Sequence, residues 1–558
     1  MRLEADHVRY WLWADDGQRR DWLSKFLIFL IFGFLFLSFR EGLDRGYDRF
    51  IGSPGPFTYA LSSVHTSEVH GIGRYAYIGP SLGDTASAFT KELGLEWSKS
   101  FREVSRGLDE KLEHVFSEPA GPLGAKVVDA PPYTDLYAVG WGMDLGYVDY
   151  VDFAFKIFGT KVSSLYHFYF LVLLVSLVVF CLSFSTRHIA LFLAVAFSAA
   201  VYAFFSTNQE MFFDLYRLRT PTNPRFMSAF AIVPLLHAFF LLFYWRRLTV
   251  ASVLALAIQA VILAFAIHGR TTANWALIGV VGLALSSILA GWLLKKWSHI
   301  HAGIAVGVVV LGANIVASTL ASNATHPVMQ YRGQLPQHTF WTSTYCALHH
   351  QWNWIEKLND HHEGTICEDA ARIGARKWGE RNLSPQEFAT FYNHEQHAFR
   401  SHVLLDALVK ASYFDIAAED PQYIFDTIVI SNGARVYLMV TTANSFMLDV
   451  LFPDDNPRRL ALGIVLLAAL VLAGVRIGTD RGLWRDYEIV FPVFLILFVF
   501  SFAPNWIVLV LWDTLIDAYL LAFVAGCATI VFGVAALSRL ATVAKGGAEP
   551  AETAGRAS

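Results

Sequence analysis

About ten apolar runs, each close to the length that crosses a bilayer, fix what this chain can become. They fall near residues 22–39, 165–185, 188–206, 227–245, 249–268, 273–294, 302–321, 459–475, 488–504 and 518–538. A spanning helix needs about 20 mostly apolar residues, because the hydrocarbon layer can satisfy no free backbone group. Composition agrees: 55% of the 558 residues are hydrophobic and only 16% are charged, against about 25% charged in an average soluble domain. The expected fold is an all-α polytopic membrane protein with two large, mostly helical outer loops. A net charge of −4 and the lack of any basic tail argue against a nucleic-acid partner.

Short-loop lysine and arginine set the orientation. With the N-terminus inside, each inner segment is basic: Arg19, Arg20 and Lys25, then Arg187, Arg246 with Arg247, Lys295 with Lys296, then Arg476, Arg481 and Arg485, and finally Arg539 and Lys545. Both termini are therefore expected in the cytoplasm. The first run has no small-residue cleavage site after it and reads as a retained anchor. The expected organisation is a cytoplasmic N-terminus (1–21), a first span (22–39), an outer loop (40–164), spans two to seven (165–321), an outer helical domain (322–458), three last spans (459–540) and a small, polar, disordered tail (541–558). The composition of the tail suggests a bacterium, which makes the membrane the inner one and the loops periplasmic.

The loops carry patterns of their own. Phe89, Leu93, Trp97, Phe101, Val104, Leu108, Leu112 and Val115 recur at steps of three and four. That is one apolar stripe on a helix, with Asp84 placed to cap it. The stretch from 133 to 159 is aromatic and acidic, with Asp135, Asp144, Asp149 and Asp152, and leads back to the membrane. In the second loop "SPQE" at 384–387 is a capping box, with Pro385 in the first turn, and "DPQYIFDTIVI" from 420 starts a helix in the same way. Cys346 and Cys367 lie in this loop, where an oxidising compartment would let them pair. Such a disulfide is worth about 3 kcal/mol. Cys181 and Cys527 fall inside apolar runs and read as structural thiols.

Three groups point to chemistry. In "REGLDRGYDRF", residues 40–50, Glu41, Asp44 and Asp48 step by three and four and share one helix face just past the first span. A salt-bridged helix end explains them; so does a carboxylate poised as a general base. Next, the short outer loops break the charge bias with Arg217, Arg219, Arg225 and, beside His268, Arg270; Arg332 follows the seventh span. Guanidinium forks match phosphate oxygens, so these five suit the phosphate of a lipid carrier. Headgroup contact or pairing with Glu210 and Asp214 is the plainer explanation, and Asp214 is an alternative acid. Last, nine of the 19 histidines lie between His326 and His402. His338, Trp341, His349 and Trp352 suit a sugar, with rings for its apolar face and polar groups for its hydroxyls, although packing of an outer domain explains them equally. Their spacing fits no zinc signature, so no metal site is assigned. A divalent cation is the one cofactor left open.

An anchor helix, an outer loop with an acid just past the membrane and surface helices, then a multi-helix body, resembles the GT-C superfamily of membrane glycosyltransferases. The resemblance covers the order of elements over about the first 320 residues. It implies transfer of a sugar from a polyprenyl-phosphate carrier to a glycan, lipid or protein acceptor, with Asp44, Glu41 or Asp48 as base, Asp44 foremost. No P-loop or Rossmann fingerprint is present, as suits a site without soluble nucleotide. The alternatives are a non-enzymatic envelope scaffold and a transporter of a lipid-linked or anionic substrate. The spans are nearly free of charge; His237 is the main polar exception, and Asp513 and Asp517 lie near an edge.

Overall fold

The computed structural model describes residues 22–46, 55–78, 108–117, 136–138, 145–206, 224–244, 249–270, 273–331, 340–348, 367–394, 398–400, 402–431, 433–434, 448, 452, 456–479 and 515–546. The membrane body consists of α1 (Trp22–Gly46), then, after the first large loop, α5 (Val162–Phe184), α6 (His188–Ser206), a 3-10 turn (Pro224–Ala231) running into α7 (Ile232–Tyr244), α8 (Val250–Gly269), α9 (Asn274–Leu293) and α10 (Trp297–Ala324). The first large loop supplies α2 (Gly55–His70), β1 (Ala76–Ile78), α3 (Leu108–Ser117), β2 (Leu136–Ala138) and α4 (Gly146–Phe158). Nine helices among the described residues are long and apolar enough to cross a bilayer, and they coincide with nine of the ten runs. The run at 488–504 lies outside the described residues. The chain is an all-α integral membrane protein.

Burial sorts the spans. Every residue of α6 is buried, so α6 is apolar all round because it stands in the middle of the bundle. α1 and α5 pack beside it. α9 and α10 pack against each other and leave Leu285, Leu289, Trp292, Val308 and Ile315 exposed, as helices facing lipid do. A polar cross-link mid-bundle satisfies both partners: Ser176 Oγ donates to Gln259 Oε1 at 2.8 Å, and Gln259 Nε2 donates to the Ser176 carbonyl at 2.8 Å.

The second large loop folds around its own core. α11 (Phe340–Leu348), α12 (Cys367–Asn382), α13 (Pro385–Phe391), α14 (His402–Glu419) and α15 (Pro421–Phe425) enclose Tyr345, Ala371, Phe388, Leu405 and Val409. The capping box forms as expected: Ser384 Oγ accepts from the Glu387 N–H at 3.3 Å, and the Glu387 carboxylate accepts from the Ser384 N–H at 2.9 Å. Asp420 caps α15 through the Tyr423 N–H at 3.0 Å, and the chain then widens into a π-helix over Asp426–Ser431. The last spans, α16 (Pro457–Thr479) and α17 (Leu515–Gly546), pack closely. At Gly478 a Cβ would come within 2.3 Å of the Ala535 carbonyl oxygen.

Two boundaries read from the sequence move. α1 continues seven residues past 39, since Arg40 to Gly46 remain helical. α17 reaches Gly546, past the expected boundary at 541, and the rest of the expected tail lies outside the described residues. The loops also hold two small antiparallel ladders, β1 with β2 and β3 (Tyr392–Asn393) with β4 (Ala398–Phe399), too short to show as alternation. Of the long stripe, the described helix starts at Leu108, and it buries Leu108, Leu112 and Val115 as the stripe requires.

Candidate functional site

The first large loop builds a polar centre on the ends of α8 and α10. Two backbone features fix it. Gly146 opens α4 directly against the end of α8, where a Cβ would lie 2.4 Å from the His268 carbonyl carbon and 2.5 Å from the Gly269 nitrogen. Only a glycine lets the two main chains come so close. Arg74 then pairs by backbone with the end of α10: its N–H donates to Ala324 O at 3.1 Å and its carbonyl accepts from His326 N at 3.1 Å. Side chains from separate stretches thereby meet.

Asp149 lies at the middle. Its Oδ1 accepts from Arg74 Nη1 at 2.5 Å. Its Oδ2 accepts from the Tyr75 hydroxyl at 2.7 Å and lies 2.8 Å from His268 Nε2. A carboxylate can only accept, so His268 Nε2 carries the hydrogen, and in the neutral ring Nδ1 is the atom with the lone pair. One helical turn on, Asp152 Oδ2 accepts from Arg74 Nη2 at 2.9 Å and from Lys156 Nζ at 3.0 Å. Lys156 Nζ is also 2.7 Å from Glu68 Oε1 on α2. The Asp149 and Asp152 side chains are 8% and 6% exposed, against 29% for Arg74. These are nearly buried acids under a partly open guanidinium, an arrangement that costs several kcal/mol when one partner is removed.

Burial pushes the Asp152 carboxyl above its ordinary range, partly offset by the Lys156 ammonium. Burial and the adjacent Asp149 carboxylate raise the Tyr75 hydroxyl strongly. For Arg74, burial works against the charge, but Asp149 and Asp152 outweigh it and hold the guanidinium more firmly protonated. Tyr75 is one of two non-glycine residues among those described with a left-handed backbone, at φ 68°, held there by its N–H to Ser63 Oγ at 3.1 Å. Strain of this kind costs about 1–3 kcal/mol and gathers where function over-determines the geometry.

Beside the centre opens a cavity of about 410 Å³ between α2, α3 and α4, lined by Val64, Glu68, Phe116, Asp152, Phe155 and Lys156 among others. Asp152 Oδ1 is buried without a hydrogen-bond partner among the described residues. No group of three or more metal-ligating side chains occurs among the described residues.

The site residues read from the sequence are scattered. Glu41 and Asp44 both ride on α1, three residues apart, with Glu41 half-buried. The side chain of Asp44, and Asp48 entirely, lie outside the described residues. So do Asp214, Arg217, Arg219, Arg332, His338, His349 and Trp352. Arg225 is the second residue of the 3-10 turn, its side chain undescribed. Arg270 is brought to the centre's edge, two residues beyond His268, and is buried. Trp341 packs in the second-loop domain, half-buried, its ring 5.7 Å from Tyr413 and 5.2 Å from Phe414. Cys346 lies on α11 and Cys367 opens α12, two helices in contact; their sulfurs are undescribed, and no disulfide occurs among the described residues.

No family model, curated protein or solved structure matches this chain. The site has to be read from its own chemistry. Arg74, Tyr75 and His268 were not singled out as a site by sequence. Asp149 and Asp152 stood three apart in an acidic, aromatic stretch, the spacing of one helix face, and that was the available signal.

Proposed function

We propose that this protein is a membrane glycosyltransferase that moves a sugar from a polyprenyl-phosphate carrier to an envelope glycan, lipid or protein acceptor. The observation that carries the reading is the Asp149–His268 pair, a carboxylate fixing an imidazole by a 2.8 Å contact at the end of a membrane span, one helical turn along α4 from Asp152, which lines a cavity. A carboxylate that orients an imidazole and steadies its cation makes an effective general base.

In this mechanism His268 Nδ1 takes the proton of an acceptor hydroxyl. The oxygen attacks the anomeric carbon, the bond from that carbon to the carrier phosphate oxygen breaks, and the carrier leaves as a phosphate anion. Asp149 balances the imidazolium, and Arg74 and Tyr75 keep Asp149 in place. Arg270 is the described candidate for the charge developing on the carrier phosphate; Arg217, Arg219, Arg225 and Arg332 remain the sequence candidates. The base is thus moved from Asp44, Glu41 and Asp48 to the dyad. By the positive-inside pattern the centre faces the periplasm of a bacterial inner membrane, with both termini cytoplasmic.

The test is transfer of a labelled sugar from polyprenyl-phosphate carriers by purified protein, wild type beside His268→Gln and Asp44→Asn. General-base removal costs about 10²- to 10⁴-fold, so His268→Gln should lose transfer on that scale. Loss in Asp44→Asn with His268→Gln intact would return the base to the end of α1. No transfer and no carrier binding from any carrier would leave the scaffold or transporter readings.

A further inference from the structure

The cavity that Asp152 lines has a chemistry of its own. Two carboxylates, Glu68 and Asp152, line it against one ammonium, Lys156. An anionic ligand such as the carrier phosphate would meet net negative charge here. A neutral polyol could bond the carboxylates but would leave that charge unbalanced. Asp152 presents a buried Oδ1 that lacks a donor among the described residues, and a buried acceptor left unpaired is costly. The walls add the rings of Phe116 and Phe155, 5.7 Å apart in an edge-to-face arrangement, and aromatic faces attract cations. Lys156 shows what the site accepts: its ammonium already bridges Glu68 at 2.7 Å and Asp152 at 3.0 Å, on a side chain 46% exposed, so it can swing out.

We infer that this cavity binds a small ligand through a protonated amine, which takes Asp152 Oδ1 and the Glu68 carboxylate as its acceptors and displaces Lys156 from at least one of them. About 410 Å³ is at the small end of ligand pockets and suits one amino-sugar unit or the headgroup of an aminophospholipid. The inference deepens the reading above by naming the chemistry of the acceptor; it rests on that reading only for the acceptor role, and binding is measurable without turnover.

The experiment uses the full chain in phosphatidylcholine nanodiscs, titrated with glucosamine, N-acetylglucosamine and glucose. Glucosamine should bind at least tenfold tighter than the two neutral sugars. Asp152→Asn and Glu68→Gln should each weaken it at least fivefold. Lys156→Met should tighten it, a gain that a misfolded protein cannot produce. Nanodiscs containing phosphatidylethanolamine should compete if the amine comes from lipid, and should not if it comes from a soluble or glycan source. Equal affinity for the three sugars, or glucosamine affinity unchanged in both acid variants, would overturn the inference. In the transfer assay, amine binding without any transfer would sink the glycosyltransferase reading alone, whereas transfer with no preference for amine-bearing acceptors would remove the acceptor role of the cavity.

Discussion

The two large loops carry similar side chains and use them differently. The second loop folds as a helical domain with an apolar core of its own, centred on Tyr345, Phe388 and Val409, and keeps its charges at the surface. Arg376 pairs with Glu380 at 2.8 Å with both ends more than 40% exposed, and the Ser384 capping box is exposed. The first loop shares one core with the spans and sinks two acids into it, where Arg74, Tyr75 and His268 must hold them. Exposed pairs are worth about 0–1 kcal/mol; buried ones exact a desolvation cost that structure alone has no reason to meet. Under the proposed function the contrast assigns the chemistry to the first loop, although the second holds more histidine and carries the candidate sugar residues His338, Trp341, His349 and Trp352.

The hardest blow to this contrast comes from Gly146→Ala. Its Cβ would strike main-chain atoms of residues 268 and 269 at 2.4–2.6 Å, which cannot rotate away, so α4 must shift and Asp149 with it. Misplacement by about 1 Å costs on the order of 10²-fold in rate, and transfer activity should fall by that much. Its counterpart in the second loop is Gly374→Ala, whose Cβ meets the Tyr345 ring at 2.3–2.8 Å. It should lower the melting temperature of that domain, by about 1–3 kcal/mol of overpacking, and leave transfer unchanged. If Gly374→Ala abolished transfer in a folded protein, the division between the loops would fail.

A smaller effect is expected for Tyr75→Phe, which removes the 2.7 Å bond to Asp149 and leaves both residues of the dyad in place. Bonds to charged groups are worth about 1.5–3 kcal/mol, so transfer should drop about tenfold or somewhat more, in kcat rather than KM. Ser384→Ala is smaller again. It deletes the hydroxyl half of the capping box, leaving the backbone N–H of residue 384 on the Glu387 carboxylate, and should cost the second domain about 1 kcal/mol by denaturant melts, with transfer intact.

The smallest effect is in pH. Asp152 titrates above its ordinary 3.8 in the folded protein, so burial disfavours its ionised form. Stability from this group is complete below about pH 4 and is lost as pH rises toward the raised folded-state value. Wild type should therefore lose melting temperature relative to Asp152→Asn from about pH 4 upward, and then run parallel to it. A gap that widens toward acid would mean that Arg74 and Lys156 outweigh burial.

Much of the fold was legible because bilayer thickness sets the length of each span and leaves little freedom. The Ser384 box and the Leu108, Leu112, Val115 stripe were legible because their partners lie within four residues. The centre was not. Tyr75 and His268 are 193 residues apart, Arg74 and Asp149 are 75 apart, and no local pattern distinguishes Asp149 and Asp152 from acids on a solvated face. Arg74 reads as a loop arginine until its backbone joins the end of α10. The arginines of the short loops drew notice because they broke a topological bias, and of these the fold brings Arg270 to the centre's edge.

One measurement bears most directly on the central claim, that Asp149 and His268 act as a unit: a double-mutant cycle of Asp149→Asn and His268→Gln, read as kcat for transfer from a polyprenyl-phosphate sugar. Residues that act together are strongly non-additive. The double variant should be no slower than the slower single variant. Fully additive losses, each variant multiplying the other, would show that the two side chains act separately and would contradict the dyad.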